Sequence, residues 1–126
     1  MARMFIAIAA LLGMLSVAGG AFGAHALKDQ LSEKALSTFE LGARYQMYHA
    51  LVLLLVALLL VQRPDATGLV YAGWAFIVGV LIFSGSLYAL SLSGIKLLGA
   101  ITPIGGVALI AGWLLLALAS SHFKPS

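Results

Sequence analysis

The chain has 126 residues, of which 63% are hydrophobic and 9% are charged, against roughly 25% charged residues in ordinary soluble domains. This small number of polar side chains cannot cover a water-facing surface. The composition therefore excludes an ordinary soluble domain. The net charge of +3 is scattered, which gives no ground for a nucleic-acid partner. The chain has no cysteine, which excludes disulfides, thiolate catalysis and cysteine-bound metals.

The first apolar run extends from Met4 to Ala24. At about 1.5 Å of rise per residue it is long enough to cross a hydrocarbon layer about 30 Å thick. Arg3 and the triplet Ala24-His25-Ala26 also imitate a secretory signal and its cleavage site. The run is longer than the roughly 7 to 15 apolar residues of such signals. We therefore expect a membrane helix here.

The stretch from Gly19 to Leu51 follows, and it carries six of the eleven charged side chains and two of the three histidines. A helix turns by about 100° per residue, and with this geometry the apolar and polar residues of the stretch fall on opposite sides. The apolar side is Leu31, Ala35, Phe39, Ala43 and Met47, and the polar side is Glu33, Ser37, Glu40 and Arg44. This pattern predicts an amphipathic interfacial segment that leads into the second membrane helix.

Two signals compete for the start of that second helix. Ser37 followed by Glu40 forms a capping box, whereas Ser32 is a weaker cap about a turn and a half earlier. The apolar run itself, Tyr48 to Val61, is short for a span unless residues 41–47 extend it. Glu40 and Arg44 also have the spacing of a favourable ion pair.

Two further apolar runs, Leu69 to Leu92 and Leu97 to Ala119, are each long enough to span the bilayer. Proline disfavours helical geometry before it, so the last run either kinks at Pro103 or begins there with Thr102 as its N-cap. The sequence therefore predicts one all-α membrane domain over residues 1–126. It has four transmembrane helices, an interfacial segment between the first two, and a proline-broken fourth helix.

Four crossings divide the polar residues between two membrane faces. Face A holds both termini and the turn 62–68, and face B holds the Gly19 to Leu51 stretch and the turn 93–96. The Lys and Arg residues near the helix ends are almost equally divided between the two faces. The first helix often dominates the orientation in such a case, and it carries Arg3 at its start. We expect both termini in the cytoplasm.

Small residues predict where helices pack closely, because helix association in lipid depends on close backbone contact. Packing between helices of one subunit is the simpler interpretation of these residues. Packing between helices of different subunits would make the protein a homo-oligomer. The glycines predicted to pack are Gly19, Gly20, Gly23, Gly79, Gly105, Gly106 and Gly112.

Ionisable and polar side chains from several helices are predicted to converge at face B. Such residues near the membrane are candidates for function, because burying them without partners costs a few kcal/mol. An alternative is that the histidines bond backbone carbonyls and the tyrosines form an interfacial belt. The candidate ligand or partner site is His25, Glu40, Arg44, Tyr45, Tyr48, His49, Tyr88, Thr102 and Pro103.

No metal site, cofactor or catalytic residue is expected. His25 and His49 lack a third ligand at metal-binding spacing, and no nucleophile-base-acid set or dinucleotide fingerprint is present.

Three motifs in order resemble a known family: GAFGAHAL at 20–27, ARYQMYHAL at 43–51, and TPIGG at 102–106 followed by GW at 112–113. They resemble the small bacterial inner-membrane family called domain of unknown function 423, which is related to the eukaryotic transmembrane protein 256. The resemblance covers essentially the whole chain. It implies a four-helix protein of the bacterial inner membrane and brings no assigned activity.

The sequence thus favours a non-enzymatic binding or interaction module whose polar site is built around His25, Arg44 and His49. Its expected partners are the bilayer, a bound lipid or small molecule, and further copies of itself. A small oligomeric transporter or channel, lined by Ser84, Tyr88, Ser91 and Thr102, is the alternative. A purely structural membrane component is the second alternative.

Overall fold

A computed structural model describes residues 1–124, which are helical throughout apart from short turns and contain no strand. Four helical units are long and apolar enough to cross a membrane: Ala2–Leu27, Glu33–Gln62, Thr67–Ser93 and Leu98–His122. This confirms the predicted all-α class with four spans. The helices are α1 (Ala2–Val17), α2 (Ala24–Leu27), α3 (Glu33–Gln62), α4 (Thr67–Ser93) and α5 (Leu98–Ala119).

The first membrane crossing changes from α-helical to π-helical geometry before it reaches face B. Between α1 and α2 it forms a π-helical segment, Ala18–Gly23, a rare geometry that the sequence analysis did not predict. The ring of Phe39 from α3 lies against this segment, 3.8 Å from where a Cβ of Gly19 would stand and 3.3 Å from that of Gly23. The missing side chains therefore make room for the ring.

The start of α3 is set by Ser32, the weaker of the two predicted caps. The Ser32 hydroxyl accepts a hydrogen bond from the backbone N–H of Ala35 at 3.1 Å, and the helix then runs without a break for 30 residues. Ser37 lies inside the helix, exposed. Phe39 and Ala43 are buried while Glu40 and Arg44 are exposed, as the amphipathic pattern predicted.

The fourth crossing is not interrupted at its proline. Helix α5 begins at Leu98 and continues through Pro103, so Thr102 is not its N-cap. Pro103 is exposed, and the only bond it forfeits is the one its N–H would donate to the carbonyl of Gly99. Non-helical backbone before α5 is confined to the turn after Gly94, whose positive φ of 72° ends α4.

The two inner helices, α3 and α4, form the centre of the bundle, with α1 packed on α3 and α5 packed on α4. The α4–α5 contact is especially close. A Cβ on Gly79 would lie 2.6 Å from the Leu109 side chain, and one on Gly112 would lie 2.7 Å from the Phe76 ring. A Cβ on Gly105 would collide with the backbone of Phe83.

The remaining glycines predicted to pack differ in their surroundings. A Cβ on Gly106 would meet only the edge of the Phe83 ring at 3.8 Å, and one on Gly20 would meet nothing within 4 Å. These two positions therefore have free space beside them.

Face A is assembled as the crossing count predicts. Arg63 donates a hydrogen bond from Nη1 to the His122 carbonyl at 2.6 Å, and its guanidinium lies 5.5 Å from the centre of the Phe123 ring. Met1 and Pro64 line one recess on the same side. Which face is cytoplasmic stays a prediction.

Candidate intramembrane binding groove

His49 is buried on α3, with 5% of its surface exposed, and both of its ring nitrogens have partners. Nδ1 lies 2.7 Å from the carbonyl oxygen of Tyr45, which can only accept, so Nδ1 carries the proton and donates it. Nε2 then accepts from the indole N–H of Trp113 at 3.2 Å. The bond to Trp113 joins α3 to α5.

A groove lies beside this bond, with α3 and α5 as its walls and α4 as its floor. Its volume is about 610 Å³, within the usual range of small-molecule sites, which is roughly 300 to 1,000 Å³. Apolar and aromatic groups dominate the lining. The lining residues are Tyr45, Tyr48, His49, Leu51, Phe83, Gly106, Leu109, Ile110 and Trp113.

Aromatic contacts hold the groove in shape. The Tyr45 and Phe83 rings are stacked with centroids 4.7 Å apart, and the Phe76 and Trp113 rings meet edge to face at 5.3 Å. Such pairs are favourable beyond the area they bury. The walls are therefore preorganised rather than loosely packed.

Two hydroxyl groups in the lining have no partner in the described part of the chain. Within residues 1–124, neither the Tyr45 nor the Tyr48 phenol makes a hydrogen bond, and Tyr48 is 51% exposed. Tyr88 differs, because its hydroxyl donates to Gln46 Oε1 at 2.6 Å. The groove thus offers two hydrogen-bonding groups on a mainly apolar surface.

The buried polar side chains elsewhere in the bundle are satisfied internally. Gln46 also donates to the carbonyl of Leu12 at 2.8 Å, so it links three crossings. Ser84 donates to the Gly42 carbonyl at 2.7 Å, and Ser91 donates to the carbonyl of Tyr88 at 2.9 Å. The residues suggested for a transport path are therefore engaged with the protein itself.

The predicted face B site is divided among separate places. Glu40 and Arg44 line a second recess, on the α1 side of α3, together with Ser16 and Gly20. His25 is exposed in α2 and lines neither recess. The three residues at the centre of the predicted site thus share no recess, and whether each has a function stays a prediction.

Thr102 and Pro103 lie outside the groove as well. The Thr102 hydroxyl is 2.6 Å from that of Ser86, which ties α5 to α4, and Pro103 is exposed. Neither residue lines the groove together with Tyr45, Tyr48 and His49.

Sequence reasoning missed the α5 wall of the groove. Gly106 was predicted only as a packing glycine, and Trp113 was not among the candidate site residues. A signal was present, because Gly106, Leu109, Ile110 and Trp113 have the spacing of one helix face, as do Tyr45, Tyr48 and His49. Which two faces meet could not be deduced from spacing alone.

Within residues 1–124 no three His, Asp or Glu side chains lie close enough together to hold a metal ion. The chemical character of the groove is therefore set by its aromatic rings, its hydroxyls and its shape.

Comparison with known proteins gives a consistent family match. The model of the family "Protein of unknown function (DUF423)" matches residues 19–106. A "UPF0382 membrane protein" of Staphylococcus epidermidis is 47% identical over 121 residues, covering 96% of this chain and 98% of that protein. The "UPF0382 membrane protein YwdK" of Bacillus subtilis is 43% identical over the same shares of the two chains. No solved structure matches the chain.

Proposed function

Since the chain belongs to the DUF423 family of membrane proteins of unknown function, we propose that it is a non-enzymatic binding protein that holds a lipidic molecule in the groove between α3 and α5. The observation that carries the proposal is the pair of hydroxyls, Tyr45 and Tyr48, which have no partner among residues 1–124 and lie on the wall of a mainly apolar groove of about 610 Å³. The ligand has an apolar body and at least one oxygen acceptor.

The hydroxyls support a ligand because the wall on which they stand is mainly apolar and, within residues 1–124, offers them no partner. Tyr45 follows Arg44 and lies near the membrane boundary, so a ligand oxygen that accepts from either hydroxyl gains an ordinary hydrogen bond of about 0.5 to 1.5 kcal/mol. His49 does not compete for this role, because its two ring nitrogens are already engaged.

The position of the groove supports access from the bilayer. Leu51 and Ile110, one on each wall, are 58% and 68% exposed, and at this depth their exposed surface faces lipid tails. A molecule that already dissolves in the membrane can therefore enter sideways between α3 and α5. The apolar part of the ligand would lie on Phe83 at the floor.

Native mass spectrometry of the protein extracted in mild detergent tests this proposal. Wild type is expected to retain a lipidic molecule, and Gly106→Leu is expected to lose it, because the new side chain enters the groove near Phe83 without meeting backbone. Gly85→Leu is the matched control, since a Cβ at Gly85 meets nothing within 4 Å and Gly85 does not line the groove.

Tyr45→Phe and Tyr48→Phe test the hydroxyls while keeping the rings. Each change is expected to weaken retention by up to about tenfold, because a hydrogen bond contributes about 0.5 to 1.5 kcal/mol and 1.4 kcal/mol is tenfold in affinity. A purely structural protein would show bare subunits in every variant. That result, or equal retention by wild type and Gly106→Leu, would overturn the proposal.

A further inference from the structure

The second recess, between the first crossing and α3, pairs two opposite charges that do not bond to each other. Glu40 and Arg44 both line it and both are exposed. Within residues 1–124 the only ion pair is Arg63–Asp65, at 3.8 Å, so the i, i+4 pair expected from the sequence is not formed. Each charge is therefore available to a molecule seated in the recess.

Arg44 lies near the edge of the hydrocarbon layer at face B, from where its long side chain can extend outward to the lipid phosphates. Arg63 marks face A, and the α3 axis between Arg44 and Arg63 is about 28 Å long at 1.5 Å per residue. That length is close to the hydrocarbon thickness of about 30 Å. Glu40 lies four residues, about 6 Å, further out toward the water. From the lipid toward the water, the cation of Arg44 thus comes first and the anion of Glu40 second.

The recess has room beside this pair of charges. Its volume is about 300 Å³, and Gly20 in the π-helical segment leaves it open, since a Cβ there would meet nothing within 4 Å. The Ser16 hydroxyl donates its proton to the Ala43 carbonyl at 2.6 Å, so toward a ligand it can only accept. Met47, on the opposite side of Arg44 from Glu40, gives the recess an apolar inner end.

We propose that this recess binds a phospholipid whose headgroup carries a primary ammonium outside its phosphate, an ethanolamine phospholipid in one leaflet. Arg44 donates to the phosphate, the ammonium donates to the Glu40 carboxylate, and the acyl chains begin at Met47. In this headgroup the ammonium is two methylene groups beyond the phosphate, so its charges follow the same order as Arg44 and Glu40 but with opposite sign. The proposal concerns a site separate from the α3–α5 groove and does not depend on it.

Charge complementarity selects this occupant over other common lipids. A glycerol headgroup offers the phosphate but leaves Glu40 without a cation and near a like charge. A choline headgroup offers a cation that has no N–H to donate. The site therefore discriminates by the second charge, and Glu40 is the residue that determines the preference.

Lipid competition in nanodiscs followed by native mass spectrometry tests the proposal. The bilayer contains equal amounts of ethanolamine, choline and glycerol phospholipids with identical acyl chains. Wild type is expected to retain the ethanolamine lipid over each of the others by about 1.4- to fivefold, the range expected of exposed charge pairs worth about 0.2 to 1 kcal/mol. Equal retention of the three lipids would overturn the proposal.

Two exposed substitutions separate the contributions of the charges. Glu40→Gln is expected to abolish the preference for ethanolamine and to raise retention of the glycerol lipid, while Arg44→Gln is expected to lower retention of all three. Lys34→Gln is the control, because Lys34 is an exposed charge of α3 outside the recess. Unchanged selectivity in Glu40→Gln would contradict the assignment, and circular dichroism of each variant confirms that the helices are intact.

Discussion

Trp113 donates its indole N–H to the Nε2 atom of His49 at 3.2 Å, and this bond is a direct polar link between α5 and α3. It runs beside the groove, so its two residues position the walls that a ligand would touch. In hydrocarbon such a bond is not exchanged for one to water, although measured values in membrane proteins average only about 0.6 kcal/mol.

Trp113→Phe is expected to lower the thermal stability of the protein in mild detergent, because it leaves His49 Nε2 without its donor and removes part of a ring packed on Phe76. The loss is expected to be about 0.5 to 2 kcal/mol. Trp74→Phe is the control, since Trp74 makes an aromatic contact with Phe5 but no hydrogen bond within residues 1–124. Equal losses in the two variants would mean that the indole N–H contributes nothing.

Gln46 and Tyr88 are expected to be energetically coupled, because the Tyr88 hydroxyl donates to Gln46 Oε1 at 2.6 Å. A double-mutant cycle with Gln46→Leu and Tyr88→Phe measures this coupling from unfolding in detergent. We expect about 0.5 to 2 kcal/mol. Additive effects of the two changes would show that the bond has no net value for stability.

Gly79→Ala is expected to destabilise the bundle by about 1 to 3 kcal/mol, the usual cost of overpacking. Its Cβ would lie 2.6 Å from the Leu109 side chain and 2.9 Å from the Leu109 backbone nitrogen, which cannot move aside without shifting α5. Gly85→Ala on the same helix is the control and should be neutral or slightly stabilising, because alanine is the better helix former. Thermal unfolding of the pair in one detergent compares them, and a neutral Gly79→Ala would count against the close α4–α5 approach.

Ser32→Ala is expected to destabilise the start of α3 by about 1 kcal/mol, because the bond from the Ala35 N–H is lost. Ser37→Ala should have almost no effect, since Ser37 is exposed inside the helix. Amide hydrogen exchange over residues 33–38 reads out this end of the helix directly. Faster exchange in Ser37→Ala alone would instead support the capping box.

Much of the fold follows from length and hydropathy. The four apolar runs predicted the four crossings, and the amphipathic pattern predicted that Phe39 is buried and Arg44 exposed. Local signals were less reliable where packing competes with them. Residues 98–101 stay helical before Pro103 because a helix that misses one hydrogen bond is still better than open backbone in lipid.

The candidate site was harder to predict, because sequence gives the depth of a residue in the membrane better than the direction in which it points. His25, Arg44 and His49 were grouped by their position toward face B, but Arg44 faces the α1 side of α3 and His49 faces α5. The directions depend on which helix faces pack together. The π-helical segment adds to the difficulty, since it rotates every residue that follows it in the first crossing.

The gathering of Met1, the Arg63 turn and His122 on one side of the bundle has a practical use. A fluorescent or enzymatic tag joined to either end of the chain must report the same compartment, and a cysteine introduced at Gly94 must be labelled from the opposite one. These three modified proteins, expressed in living cells, would establish the orientation of every loop at once. They would also identify the leaflet, inner or outer, whose headgroups meet Arg44.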